Sequence, residues 1–192
     1  MFLENHFPSK HIESCKCGKS KKTRIAHGEV ADPDKYPWIV YIRVPKKGGA
    51  YRCTGALVDD QHVLTAAHCM PKEEQYRPDK VHVYLGNDYW ESRNTLTVSQ
   101  YFVHEYYDFD FEDGIDIAVL RLTHPLKNVN AVCLTSNPSS FVGRKALAAG
   151  FGEDENGKYP KKLMMTSVTI VSNEQCRDAY QADYGDIIKR YI

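Results

Sequence analysis

The chain carries no surplus of charge of either sign: 25 Lys and Arg residues stand against 25 Asp and Glu, for a formal net charge of zero. No global field therefore draws it to nucleic acid or to an anionic membrane surface, and neither is expected as a partner. It also lacks an apolar run long enough to span a bilayer. The opening residues hold Glu4 and Pro8 where a secretion signal needs an unbroken apolar stretch, so they do not read as a signal peptide. A length of 192 residues is ample for a sizeable core in one or two domains.

Cysteine is not scarce. Six cysteines suggest disulfides and an oxidising compartment, with 15 pairings open on sequence grounds alone. Cys15-Lys16-Cys17, with His6 and His11 upstream, offers a zinc reading. Zinc sites favour two or more residues between paired cysteines, so that reading is set aside, and neither metal nor cofactor is expected. The basic residues Lys16, Lys19, Lys21, Lys22 and Arg24 form either a solvated loop or a processing site, with heparin or nucleic-acid binding a distant third.

From Ile25 onward the pattern is that of strands. Trp38 to Val44 is rich in β-branched and aromatic residues and is followed by the turn signal Lys46-Lys47-Gly48-Gly49. Cys53 to Val58 and Val63 to Ala66 are apolar runs separated by the polar Asp59-Asp60-Gln61-His62. Lys80 to Leu85 and parts of Thr95 to Val103 alternate with period two, as half-buried strands require, and Ile117 to Leu122 is a further strand. Short strands at such regular spacing predict a closed barrel rather than an α/β sheet. A connector from Thr123-His124-Pro125 to Asn137-Pro138 leads to a second unit, whose strands are Lys145 to Ala149 and Leu163 to Val171. Ser172 followed three positions later by Gln175 is a capping-box pattern and predicts a short helix from near Asn173.

Several short motifs stand in one order along the chain: Arg24-Ile25, Tyr36-Pro37-Trp38, Cys53-Thr54-Gly55-Ala56-Leu57, Thr65-Ala66-Ala67-His68-Cys69, Asp116-Ile117-Ala118-Val119-Leu120, Gly150-Phe151-Gly152 and Val171 to Cys176. Together they resemble the trypsin/chymotrypsin family of serine proteases. The resemblance implies an all-β, chymotrypsin-like two-barrel fold, with a first barrel over about 38–122 and an incomplete second one over about 134–192. It implies His68 as general base and Asp116 as the carboxylate that fixes its tautomer. The adjacent Asp108, Asp110, Glu112 and Asp113 read as a solvated acidic loop.

The same resemblance implies a Cys53–Cys69 disulfide around the histidine, a bond from Cys133 to Cys15 or Cys17, and Cys176 left unpaired. It implies a zymogen with a leader over 1–24, cut after Arg24 by a trypsin-like protease so that Ile25 becomes a new amino terminus. In relatives that terminus folds inward onto an aspartate beside the nucleophilic serine. The family's usual Ile-Val-Gly-Gly is here Ile25-Ala26-His27-Gly28, and His27 stands where a residue free to take positive φ is usual.

The nucleophile itself is missing. No Gly-Asp-Ser-Gly occurs, and none of Ser136, Ser139, Ser140, Ser167 or Ser172 lies in a glycine-rich elbow. The expectation is therefore a secreted serine endopeptidase acting on proteins or peptides, of which this chain is a C-terminally incomplete and by itself inactive part. A catalytically silent relative that acts as a binding or decoy protein is the alternative.

Overall fold

In the computed structural model of the chain, the described residues are 17–18, 29–32, 34–71, 78–86, 95–107, 115–153 and 157–184, without the side chains of 29, 78 and 180–184. The expectations placed on His6, His11, Cys15, Arg24, Ile25 and His27, and on the acidic stretch from Asp108 to Asp113, lie outside them.

Six strands close into a barrel: β2 (Ile39–Lys46), β3 (Gly49–Leu57), β4 (His62–Thr65), β5 (His82–Leu85), β6 (Thr95–Val103) and β7 (Ala118–Leu122), in the order β2-β3-β4-β7-β6-β5. Closure leaves the barrel no unpaired edge. Strand β2 shows how the sequence specifies it. Val40, Ile42 and Val44 are buried inside at alternate positions, while Arg43 between them is exposed. Leu57, Val63, Val83, Val98, Leu120 and Leu122 complete the interior. Each fully buried Leu there contributes about 1.5–3 kcal/mol of transfer free energy. The β2–β3 hairpin turns at Gly48, whose φ of 80° suits glycine. Gly55 has a different reason to be glycine: a Cβ there would come within 2.7 Å of Val63 Cγ1 and 2.8 Å of Ile42 Cδ1.

A second, three-stranded sheet runs in the order β1-β9-β8, with β1 at Glu29–Val30, β8 at Lys145–Gly150 and β9 at Met164–Thr169. Strand β1 has no counterpart in the sequence-based expectations, because two residues are too few to show a period. It pairs antiparallel with β9, Glu29 opposite Met165 and Val30 opposite Met164. This sheet leans on the outer face of the barrel. Tyr41 of β2 meets Phe151, Leu163, Met165 and Ala31 in a second buried cluster. The Phe151 N–H donates to Thr54 Oγ1 at 3.0 Å, which stitches the end of β8 to β3.

Helix α1 (Asn173–Tyr184) follows β9. It opens on a reciprocal cap: the Gln175 N–H donates to Ser172 Oγ at 3.1 Å, and the Ser172 N–H donates to Gln175 Oε1 at 3.0 Å. Among the described residues no helix is long and apolar enough to cross a membrane.

Two disulfides join the described residues, Cys53–Cys69 and Cys17–Cys133, while Cys176 on α1 is a free thiol. The second bond, with the Gly18 N–H donating to the Ala131 carbonyl at 2.8 Å, fastens residues 17–18 to the connector behind the barrel. Of the two candidates near the start of the chain, Cys17 is therefore the one that holds Cys133.

Thr54 carries the polar stitch between barrel and second sheet, so Thr54→Val is expected to leave the Phe151 N–H without its acceptor and to lower stability by about 1 kcal/mol. Urea unfolding of the two proteins measures this. Equal midpoints at equal slopes would show that the stitch contributes nothing.

Candidate active site

The site arises from how β4 and β7 pair. The two strands are antiparallel, with Thr65 opposite Ala118. Extending the same register two steps past its end sets Asp116 opposite Ala67, beside His68. After Thr65 the chain passes through the extended Ala66 and tightens into a single 3-10 turn, Ala67–Cys69, closed by the Met70 N–H donating to the Ala67 carbonyl at 2.8 Å. Ala67 and Cys69 point into the core, and the turn presents His68 outward. The Cys53–Cys69 bond ties this turn to β3 one residue from the histidine. Its 16-residue separation corresponds, in the chain-entropy view, to about 3 kcal/mol taken from the unfolded state.

Asp116 engages His68 twice. His68 Nδ1 lies 2.5 Å from Asp116 Oδ2, and the His68 backbone N–H donates to Asp116 Oδ1 at 2.8 Å. An ionised carboxylate only accepts, so Nδ1 carries the proton, and in the neutral ring Nε2 is the basic nitrogen. Both side chains remain open to solvent, at 46% for the histidine and 36% for the aspartate. The carboxyl itself is tuned by opposing effects. Burial alone would raise its pKa, but the hydrogen bonds from the His68 ring and backbone, the charge of the imidazolium and a further bond from the Ala67 N–H outweigh it. Asp116 consequently sits below its ordinary value of 3.8. The contribution of Ala67 was invisible in sequence, because a backbone N–H leaves no residue-type signature.

A second imidazole-carboxylate pair lies elsewhere on the barrel. In the turn before β4, Asp59 accepts from the Gln61 and His62 N–H groups, both at 2.7 Å, and its Oδ2 lies 2.8 Å from His62 Nδ1. Here the carboxylate folds back over its own turn. The pair is local and structural, whereas His68 and Asp116 come from distant parts of the chain.

Three potential ligand atoms, on Cys53, His68 and Cys69, fall within 4.8 Å of one another. Both sulfurs are spent in the disulfide, so neither offers a thiolate to a metal. Several serine hydroxyls are likewise committed to local structure. Ser139 and Ser140 donate to the Asn137 side chain and carbonyl, each at 2.8 Å, and Ser172 caps α1. Arg24 and Ile25 lie outside the described residues.

Because the folded pKa of Asp116 is depressed, its contribution to stability is complete above the unfolded value of about 4 and is lost as pH falls through the folded value. The stability gap between the parent and Asp116→Asn should therefore be widest near neutrality and narrow below pH ~4. Urea unfolding at a series of pH values reads it directly. A gap that stays constant down to pH ~2 contradicts this assignment.

The Trypsin family model matches residues 25–192. A venom serine protease of Polistes dominula is 28% identical over 88% of this chain and 64% of its own length. The CLIP domain-containing serine protease B4 of Anopheles gambiae is 28% identical over 88% of this chain and 53% of its own length. Serine proteinase stubble of Drosophila melanogaster is 30% identical over 83% of this chain and 21% of its own length. The chain thus spans less than two-thirds of the length of each of these curated relatives. Among solved structures, one described as the structure of GrC superposes with a TM-score of 0.67 at 27% identity, over 83% of this chain and 71% of that one. Its likeness, with the closed six-stranded barrel and the partial second sheet, makes the architecture all-β and chymotrypsin-like. With the family model covering 25–192, the chain belongs to the trypsin family.

Proposed function

We propose that this chain carries the general-base half of a secreted serine endopeptidase, made as a zymogen and cut after Arg24. The observation that carries the reading is the double engagement of Asp116 by His68, through ring and backbone N–H groups at 2.5 and 2.8 Å. With Nδ1–H held by the carboxylate, Nε2 is the nitrogen that takes the proton of a serine hydroxyl as it attacks a peptide carbonyl. Asp116 then stabilises the imidazolium that forms. The nucleophile and the amides that would stabilise the oxyanion are not among the 192 residues. By itself the chain is inactive.

In this reading residues 25–192 are the protease portion and 1–24 the leader. The Cys17–Cys133 bond supports it, since a leader tethered there stays attached after the cut. The disulfides and the venom protease among the relatives support secretion, with protein or peptide substrates and a trypsin-like activating protease as partners. One observation favours a second reading, a catalytically silent family member that binds without cutting: no Gly-Asp-Ser-Gly occurs in the sequence.

Two experiments test these readings. Sequencing the transcript past the codon for Ile192 separates the enzyme from the silent relative. An in-frame Gly-Asp-Ser-Gly element is the expected result, and a stop codon matched by the intact mass of the natural protein overturns the enzyme reading. Brief trypsin treatment should yield a new amino terminus at Ile25, with the leader released only under reduction. A leader freed without reductant, or cleavage that spares Arg24, would sink the zymogen assignment.

A further inference from the structure

The Cys53–Cys69 bond and the His68 ring place a second kind of chemistry at the same spot. Among the described residues they make up the one close group of three His, Cys, Asp or Glu ligand atoms: both sulfurs and a ring nitrogen of His68 lie within 4.8 Å of one another. Two thiolates and an imidazole are a donor set that zinc favours. In a tetrahedral zinc site, with lengths of about 2.3 Å to sulfur and about 2.0 Å to nitrogen, such donors stand about 3.5–3.8 Å apart. The imidazole therefore has to approach by roughly 1 Å at most. The sulfurs have to part, and with their Cα atoms 6.2 Å apart rotation of the two side chains is enough.

The covalent bond withholds both sulfurs from a metal, and a dithiol reductant returns them. One thiolate of the reductant attacks the sulfur of Cys53, the more exposed of the two residues, to form a mixed disulfide. The Cys53–Cys69 bond breaks, and Cys69 leaves as a thiolate with the bonding pair. The second thiolate of the reductant then displaces Cys53. The reductant ends as a disulfide, oxidised by two electrons, and the chain holds two cysteines that give up their protons to solvent as a metal binds.

The third donor is already oriented. A zinc-bound imidazole usually donates its other ring N–H to a carboxylate, which fixes the tautomer and the direction of the ring. His68 has this partner: Asp116 engages Nδ1–H, so the free lone pair lies on Nε2. The His68 side chain is 46% exposed, which leaves water access to the fourth position of a tetrahedral ion. We propose that reduction of the Cys53–Cys69 bond opens a zinc site formed by Cys53 Sγ, Cys69 Sγ and His68 Nε2, with Asp116 orienting the ring. The site stands on these donors and distances. Its consequence for catalysis rests on the function proposed above: zinc on Nε2 occupies the lone pair that a general base needs, so the reduced, zinc-loaded chain is held in an off state.

The test uses the full chain, reduced with a dithiol, desalted without oxygen and titrated with Co2+ as a spectroscopic stand-in for zinc. A sulfur-to-cobalt charge-transfer band and the strong visible absorption of tetrahedral cobalt are expected, absent from the disulfide-bonded chain and erased by Zn2+. Cys53→Ser should lose this spectrum, whereas Cys133→Ser, which removes the other disulfide, should keep it. His68→Ala should weaken cobalt binding roughly tenfold or more, and Asp116→Asn about tenfold. Zinc should also raise the melting temperature of the reduced parent but not of reduced His68→Ala, because a ligand held only by the folded chain stabilises it. Four results overturn the proposal: no cobalt–thiolate absorption in the reduced parent, equal affinity in His68→Ala, a loss in Cys133→Ser that matches Cys53→Ser, or a melting temperature that zinc does not raise. Equal affinity in His68→Ala assigns the metal to loose thiols whether or not the reduced chain stays folded. Unchanged affinity in Asp116→Asn overturns the orienting role of the carboxylate. Activity is not read, so a stop codon after Ile192, which ends the enzyme reading, leaves each of these results as it stands.

Discussion

The antiparallel pairing of β4 with β7 is the constraint on which the site depends. It closes the barrel, and its register brings a residue just past the end of one strand beside a residue just before the start of the other. Beyond the ladder, the 3-10 turn Ala67–Cys69 has to form for His68 to meet Asp116. The carboxylate is delivered by a ladder whose side chains, Val63, Leu120 and Ala118, are buried in the core. A one-residue slip of β7 would turn that core outward and carry Asp116 away from the histidine, so the apolar pattern that folds the barrel also fixes the site.

The two histidine-carboxylate pairs show what this delivery adds. Asp59 and His62 are close in sequence, and their contact follows from a turn that many sequences could make. His68 and Asp116 are 48 residues apart, and their contact exists only when the barrel is closed. Folding therefore organises the second pair in advance, and the Cys53–Cys69 bond limits how far the His68 turn can move. Asp116 is also solvated enough to remain ionised, which keeps Nδ1 as the protonated nitrogen.

Much of this was legible in the residues. The period-two alternation of Lys80 to Leu85 and of parts of Thr95 to Val103 marks barrel strands with one dry face, whereas Trp38 to Val44 is marked by its β-branched and aromatic residues and is buried on both faces from Val40 to Ile42. Ser172 and Gln175 announced α1, because a capping box is a local chemical bond whose two partners are both visible in sequence. Other features could not be read there. Strand β1 is too short for a pattern and exists through pairing with β9. The choice of Cys17 for Cys133 depends on how the chain approaches the connector, where the Gly18–Ala131 hydrogen bond sets the path.

The central claim is that closing the barrel clamps the His68 ring through Nδ1–H onto Asp116. Proton NMR of the chain labelled with nitrogen-15 at histidine measures this most directly. Two strongly deshielded, slowly exchanging ring N–H signals should be present among the described histidines, one lost in Asp116→Asn and the other in Asp59→Asn. Should Asp116→Asn leave both signals in place, the carboxylate does not hold the imidazole, and this account of the site fails.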